Sequence, residues 1–132
     1  MQRIQDIYFG PSPLGGRGVF TNRDIEEGEI IEICPVIVIP KHEVKLIHKS
    51  FLHDYYFYWG EEGNKCAIAL GYGSLYNHDY DPNAMYKMDF ENDLLEIYAL
   101  RKIKSGDEIT ITYNGDENDK SPVWFHQPDY KR

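Results

Sequence analysis

Short apolar segments separated by turns dominate the pattern of hydrophobic and polar residues along the chain. These segments are rich in β-branched and aromatic residues, which is typical of β-strands. The pattern predicts strands over residues 5–9, 18–21, 30–39, 66–70, 84–90, 94–100 and 108–113. The glycine- and proline-rich residues 10–16 predict a turn, because neither a helix nor a strand tolerates them in its interior.

One segment has helical periodicity instead. Four apolar or aromatic residues between positions 41 and 55 recur at spacings of three and four, namely Val44, Ile47, Phe51 and Tyr55. Such spacing places side chains on one face of a helix. The sequence therefore predicts a mainly β fold with one helical insertion over residues 41–55.

Size and composition predict a single folded domain over residues 1–132. A chain of 132 residues has room for one domain, and its 42% hydrophobic and 14% aromatic residues exclude a disordered chain. The longest apolar run, residues 30–40, contains Glu32 and is too short to span a membrane. Because the amino terminus also lacks the pattern of a secretion signal, we expect a cytoplasmic protein with no membrane partner.

The charge balance bears on the partner. The chain has 14 Lys and Arg against 22 Asp and Glu, a formal net charge of −8. An acidic surface is poorly suited to neutralise phosphates, so nucleic acid is not expected as a direct ligand. A basic peptide or protein fits this charge better.

The two cysteines do not predict a metal site. Cys34 and Cys66 lie in separate apolar segments and match no zinc-ligand spacing. We expect two small buried thiols in a reducing compartment. The histidines show no shared ligand spacing either, so no metal is predicted.

Three segments contain more glycine and polar residues than packing requires. In residues 14–20, glycines let the backbone approach a ligand closely, although an ordinary tight turn uses the same residues. In residues 71–83, Asn77 and His78 offer neighbouring donors and acceptors to a polar ligand, and residues 81–83 are typical of a turn. The third segment, residues 106–114, is a strand that leads to Tyr113.

Tyrosines are unusually frequent. The chain has 11 of them, several within residues 55–59. An aromatic channel lined by phenol hydroxyls would suit a long amphipathic side chain such as lysine. An aromatic-rich core would explain the same composition.

Taken in chain order, these segments resemble the motifs of the SET-domain protein lysine methyltransferases. Residues 16–20 resemble the GxG motif, residues 77–83 the NHxxxPN motif, and Tyr113 the catalytic tyrosine that follows the closing strand. The likeness extends over residues 7–125 and is greatest to the small stand-alone proteins of bacteria and large DNA viruses, which lack a post-SET zinc cluster. It implies a β-clip fold of small sheets, with the segment at Asn77 passing under a C-terminal loop in a pseudoknot-like threading.

The resemblance also implies a role for individual residues. The backbone of Gly16, Arg17 and Gly18 would hold the methionine part of S-adenosylmethionine. The resemblance places Asn77 near the amino group of this cofactor, the backbone of His78 at the edge of its adenine, and the ring of Trp124 against the face of that adenine. Tyr113 and Tyr55 would act in catalysis, and together with Tyr76 they would line the lysine channel.

The implied function is S-adenosylmethionine-dependent methylation of a lysine ε-amine in a basic protein or a histone-like tail. A catalytically inactive SET-like module that binds a peptide is the alternative, and an assembly protein that pairs through residues 30–39 is a second one. A homodimer, the number of methyl groups added, and a host nucleus as the location of a viral or exported enzyme stay open.

Overall fold

Two β-sheets organise residues 6–123, the part of the chain that this computed structural model describes. The strands are β1 (Ile7–Pro11), β2 (Arg17–Thr21), β3 (Ile30–Ile39), β4 (Tyr56–Trp59), β5 (Lys65–Ala69), β6 (Asn77–His78), β7 (Ala84–Asp89), β8 (Leu94–Ala99) and β9 (Glu108–Ile111). A short 3-10 turn, Gly73–Leu75, precedes β6. The predicted mainly β class is confirmed.

The strand order joins strands from the first and last parts of the described residues in one sheet. One sheet has the order β1-β2-β9-β6 and the other β4-β5-β3-β8-β7. β6 pairs with β9 in parallel, with Asn77 opposite Thr110 and His78 opposite Ile111. This pairing places the Asn77 segment beside the strand that leads to Tyr113. Beyond it, the backbone N–H of Val123 donates to the hydroxyl of Tyr80 at 3.1 Å, so the C-terminal segment crosses next to β6.

Strand prediction was most accurate where the apolar runs are longest. β3 begins and ends where the sequence predicts it, and the other predicted strands differ from the observed ones by one or two residues at one or both ends. β1 extends through Gly10 and Pro11, which pair with Gly18 and Arg17, although the sequence assigns them to a turn. Pro11 is tolerated there because β1 is an edge strand, where a missing N–H costs no sheet hydrogen bond.

The helical insertion is confirmed within residues 41–54, but it is not the continuous helix that the sequence predicts. The structure has a 3-10 turn Lys41–Glu43, the α-helix Val44–His48 (α1) and a second 3-10 turn Phe51–Asp54, with no buried residue in any of them. Ser50 interrupts the helix: its hydroxyl donates to the carbonyl of Ile47 at 2.7 Å and accepts from the N–H of Leu52 at 3.1 Å. Side-chain bonds of this kind compete with helical ones. Phe51, expected on a buried face, is 79% exposed.

The core lies between the two sheets and around the middle strands. Its most deeply buried side chains are aliphatic and include Val19, Ile25, Leu95, Ile97, Ile103, Ile109 and Ile111. Cys34 and Cys66 are free and buried, as the sequence predicts, and burial raises the pKa of both thiols. Within residues 6–123, no helix has the length and apolar composition needed to cross a bilayer.

Close packing at Gly73 fixes the turn that precedes β6. A Cβ at this position would lie 2.5 Å from the Cβ of Ala69 and 2.9 Å from the Sγ of Cys34. Both neighbours are buried in the core cluster and have little room to move. The position of the whole Asn77 segment therefore depends on the absence of a side chain at Gly73.

We expect Gly73→Ala to lower the free energy of unfolding by about 1–3 kcal/mol, because overpacking forces β3 and β5 apart. Urea denaturation followed by circular dichroism would measure this. Gly10→Ala is the matched control, since a Cβ there would meet Phe20 only at 3.9 Å, an ordinary contact. Equal losses in the two variants would contradict the packing argument.

Candidate functional site

Glu108 joins three segments that are distant in sequence. Its Oε2 accepts from the side-chain amide of Asn77 at 2.8 Å, and its Oε1 accepts from the hydroxyl of Ser12 at 2.6 Å. The same amide nitrogen of Asn77 donates to the carbonyl of Arg17 at 2.8 Å. The structure thus brings Arg17, Gly18, Asn77 and Glu108 together, and we call these four residues the Asn77 cluster.

Gly18 permits this convergence. A Cβ at Gly18 would lie 2.2 Å from the Oε2 of Glu108 and 2.9 Å from the Nδ2 of Asn77. Gly16 has a different requirement, because its φ of +60° is a left-handed conformation that side chains disfavour. The carbonyl of Gly16 accepts from the N–H of Ser12 at 3.0 Å and closes the turn. The two glycines of the motif are therefore required for different reasons, Gly18 for the space beside Glu108 and Gly16 for its left-handed backbone conformation.

Tyr113 is anchored to the Asn77 segment from both of its ends. Its hydroxyl donates to the carbonyl of Tyr76 at 2.6 Å, and its backbone N–H donates to the Nδ1 of His78 at 2.9 Å. Burial is the main reason that the pKa of Tyr113 is raised well above its usual value, with smaller effects of Tyr55 and Glu108. The phenol is therefore neutral at physiological pH and acts as a hydrogen-bond donor.

Two further side chains of the motif secure its position. Because the Nδ1 of His78 accepts a hydrogen bond, the proton of its neutral ring belongs on Nε2. Asn83 bonds to β9 with both ends of its amide: Nδ2 donates to the carbonyl of Glu108 at 2.8 Å, and Oδ1 accepts from the N–H of Thr110 at 2.9 Å. In the turn itself, it is Asp79 that accepts from the N–H of Asp81. Asn83 thus extends the parallel pairing instead of capping its own turn.

A cavity of about 740 Å³ has Tyr113 in its wall. Six tyrosines line it: Tyr55, Tyr56, Tyr58, Tyr76, Tyr86 and Tyr113. Asp54, Glu61 and Glu62 add carboxylates, and no lysine or arginine is found among the described residues of its lining. Aromatic faces and carboxylates together favour a cationic, amphipathic side chain as occupant.

Most of the predicted site residues within residues 6–123 fall into two connected groups, while Gly16 stays in the turn to Ser12 and His78 bonds to the backbone of Tyr113. Arg17, Gly18 and Asn77 meet at Glu108, and Tyr55, Tyr76 and Tyr113 line the cavity. The bond between Tyr113 and Tyr76, which directly precedes Asn77, connects the groups. Trp124 lies outside the described residues, so its role stays a prediction. No group of three or more His, Cys, Asp or Glu side chains in the described part of the chain is placed to hold a metal ion.

Several site residues were missed by the sequence analysis. Glu32, whose Oε1 accepts from the hydroxyl of Tyr76 at 2.8 Å, has a visible signal in the sequence, a lone carboxylate in an apolar strand. Glu108 and Tyr86 had no local signal, because their contacts come from the strand pairing. The tyrosine-rich segment 55–59 was noted, yet only Tyr55 was assigned to the channel, and Tyr56 and Tyr58 also line the cavity.

We expect Gly18→Ala to lower the free energy of unfolding by about 1–3 kcal/mol, because its Cβ must displace the carboxylate of Glu108. Combining it with Glu108→Ala removes the two closest of the clashing atoms, so the loss in the double variant should fall below the sum of the single losses by about 0.5–3 kcal/mol. Urea denaturation of the four proteins in this cycle would measure the difference. Additive losses would show that Gly18 and Glu108 are not in contact.

Comparisons with known proteins agree with this geometry. Residues 16–114 match the SET domain family. A histone-lysine N-methyltransferase of Schizosaccharomyces pombe, specific for H3 lysine 37, is 39% identical over 112 residues, which are 83% of this chain and 70% of that protein. A crystal structure from Plasmodium falciparum, provisionally described as a histone methyltransferase, is 38% identical with a TM-score of 0.62, covering 83% of this chain and 98% of the other.

A second solved structure contains a ligand. Polycomb repressive complex 2 of Chaetomium thermophilum, in an autoinhibited conformation bound to S-adenosylmethionine, has a chain that is 25% identical to this one with a TM-score of 0.70. The match covers 84% of this chain and 15% of that chain, so most of the larger protein has no counterpart here. The bacterial or viral affiliation stays a prediction, since the relatives named here come from fungi and Plasmodium. The family match over residues 16–114, together with these relatives, shows that the chain belongs to the SET-domain family of protein-lysine methyltransferases.

Proposed function

We propose that the protein transfers a methyl group from S-adenosylmethionine to the ε-amine of a lysine in a basic protein or a histone-like tail. The observation that carries the proposal is the position of Tyr113, which lies in the wall of the tyrosine-lined cavity and bonds to the residue preceding Asn77. A lysine that enters through the cavity would end at this hydroxyl, and a cofactor at the Asn77 cluster would reach it from the other side.

The residues of the Asn77 cluster fit the amino-acid part of this cofactor. Asn77 donates to Arg17 and Glu108 through Nδ2, which leaves its Oδ1 as the acceptor for an ammonium group. The carboxylate of Glu108 adds negative charge nearby, because the absence of a Cβ at Gly18 leaves the space that this carboxylate occupies. When bound, S-adenosylmethionine supplies an electrophilic methyl group on a positively charged sulfur. The relative that contains this molecule supports the same assignment.

The reaction requires a neutral amine. A lysine has a reference pKa of about 10.4 and is almost fully charged at neutral pH, and a charged amine cannot attack. Burial among the tyrosines lowers the pKa of a lysine amine by desolvation, and the positive sulfur of a bound S-adenosylmethionine would lower it further. The part of the cavity at Tyr76 and Tyr113 therefore favours the reactive form without a strong base, whereas the exposed carboxylates of Glu61 and Glu62 attract the amine in its charged form.

Tyr113 would orient the reactants. Its raised pKa keeps the hydroxyl protonated, and its bond to the carbonyl of Tyr76 fixes the direction of the phenol oxygen. Backbone carbonyls such as that of Tyr76 can also accept weak C–H···O contacts from a polarised methyl group. Holding two reactants in attack geometry can contribute roughly 7–11 kcal/mol, so alignment accounts for most of the acceleration.

Charge supports a basic substrate. The net charge of −8 and the three carboxylates in the cavity lining attract a cationic peptide and speed its encounter with the site. The H3 lysine-37 specificity of the Schizosaccharomyces pombe relative is consistent with a histone-like tail. A cytoplasmic location, the alternative of a host nucleus and a homodimer stay predictions.

We expect Tyr113→Phe to lower methyl transfer by about 100-fold, because only the hydroxyl that aligns the reactants is lost. Cofactor affinity and folding should be retained. Transfer of radiolabelled methyl groups to a histone tail peptide would measure the rate, and calorimetry the affinity. Tyr98→Phe, on β8 and outside the cavity lining, is the matched control. Turnover of Tyr113→Phe at the wild-type rate would refute the role of the hydroxyl.

We expect Asn77→Ala to weaken the binding of S-adenosylmethionine at least about 10-fold, since the cofactor loses the Oδ1 acceptor, and Arg17 and Glu108 lose the donor that joins them. Calorimetric titration would measure the dissociation constant without requiring turnover. Asn92→Ala is the control, because that amide bonds only to Asp89 in the exposed turn between β7 and β8. Unchanged affinity in Asn77→Ala would argue against a cofactor at this cluster and favour a peptide-binding module.

A further inference from the structure

Glu32 is a buried carboxylate that the mechanism above does not use. It lies in β3, the middle strand of the five-stranded sheet, and is only 1% exposed. Its Oε1 accepts from the hydroxyl of Tyr76 at 2.8 Å, and its Oε2 accepts from the N–H of Tyr72 at 3.0 Å. Both carboxylate oxygens therefore hold the segment that leads into β6.

The burial of this pair has a cost that simple packing would avoid. Removing a carboxylate from water is unfavourable even when it is hydrogen-bonded, and apolar residues of similar volume often stabilise a core as well or better. The burial of Glu32 and Tyr76 thus indicates that the position of residue 76 matters in addition to the stability of the core. Hydrogen bonds meet this requirement because they have a preferred distance and direction. A tyrosine hydroxyl bonded to a carboxylate keeps its position, whereas a phenylalanine ring at the same place could shift.

Tyr76 connects Glu32 to the reacting centre. Its ring is 1% exposed and its hydroxyl is fixed on Glu32, while its carbonyl accepts from the hydroxyl of Tyr113 at 2.6 Å. Burial and the neighbouring Glu32 raise the pKa of Tyr76 well above its usual value, so its hydroxyl remains a donor. Residue 76 is therefore held at its side chain by the central sheet and presents its backbone to Tyr113.

We infer that Glu32 and Tyr76 form a positioning pair, which places the carbonyl of Tyr76 so that it orients the hydroxyl of Tyr113 for methyl transfer. This inference rests on the proposed function. Neither side-chain hydrogen bond of Asn77 involves the pair, so the cofactor site would be largely independent of it. The pair should consequently affect the rate of transfer and not the binding of cofactor.

Tyr76→Phe tests the pair with the smallest change, since it removes one hydroxyl and keeps the ring. We expect kcat to fall about 10-fold, because a shift well below 1 Å at the reacting centre is already costly. The KM for the peptide and the dissociation constant for S-adenosylmethionine should stay within about twofold. Glu32→Gln should lower kcat in the same way. The carboxylate accepts a hydrogen bond with each of its two oxygens, whereas the glutamine amide has an NH2 group in place of one oxygen and can no longer accept there.

The double variant Glu32→Gln/Tyr76→Phe shows whether the two residues affect kcat through the same contact or independently. If both residues act through the carbonyl of Tyr76, the double variant should lose no more activity than the more damaged single variant. Ile25→Val is the stability control: Ile25 is buried at its bridge to Ile103, outside the cavity lining and the Asn77 cluster. We expect it to lower the melting temperature by about 4 °C without changing kcat.

A readout at Tyr113 keeps the test independent of turnover. Tyrosine labelled with 13C at Cζ gives one NMR signal per ring, and Tyr113→Phe identifies the signal of Tyr113. That signal should shift in Tyr76→Phe and in Glu32→Gln, and stay in place in Ile25→Val. A wild-type protein without activity on basic peptides would refute the proposed function. In that case the NMR signal of Tyr113 would by itself show whether the Glu32–Tyr76 pair positions the Tyr113 hydroxyl.

Three results would overturn the inference. The first is a Tyr113 signal that does not move in either variant. The second is a kcat within twofold of wild type in Tyr76→Phe, or losses that multiply in the double variant. The third is a fall in kcat in Ile25→Val as large as that in Tyr76→Phe, because general destabilisation would then explain both.

Discussion

The parallel pairing of β6 with β9 is the interaction on which the candidate site depends. It is only two residues long, so backbone bonds alone would not hold it. The N–H of Asp79 donates to the carbonyl of Ile111 at 2.9 Å beyond its end, and the amide of Asn83 adds two bonds to the backbone of β9. His78 then accepts from the N–H of Tyr113, which continues the pairing past the strand. A short motif thereby acquires a rigid position.

From this pairing the site divides into two chemically different sides. On one side, amide, carboxylate and carbonyl groups converge at Glu108, where Gly18 leaves room for them. On the other side, tyrosines and three carboxylates line a cavity that has no lysine or arginine among its described residues. The first set suits the ammonium of an amino acid and the second a lysine side chain. Tyr113 lies between them because the strand order places it at the end of β9.

Polar groups inside the core connect this site to the sheet behind it. Glu32 projects from the central strand and holds the turn at Tyr72 and the ring of Tyr76. Gly73 lies between these residues and packs against Cys34 and Ala69. The segment before Asn77 is thus fixed by hydrogen bonds to Glu32 and by the close packing of Gly73 against Cys34 and Ala69. Such support suits an enzyme that gains its rate from alignment, since small displacements of a reacting group are costly.

The sequence by itself determined the class of the fold, most strand positions and the identity of the motif residues. Strand β3 could be located because its β-branched run ends at a proline, and Tyr113 and Asn77 because their motifs are contiguous. The helix over residues 41–55 could not be judged locally, because the spacing of Phe51 does not reveal that no layer covers it. Only the tertiary structure decided that Glu32 serves Tyr76, 44 residues away, and that Glu108 joins Asn77 and Ser12, 31 and 96 residues away. A hydrogen bond across such distances follows from strand order and register, and neither leaves a periodic trace along the chain.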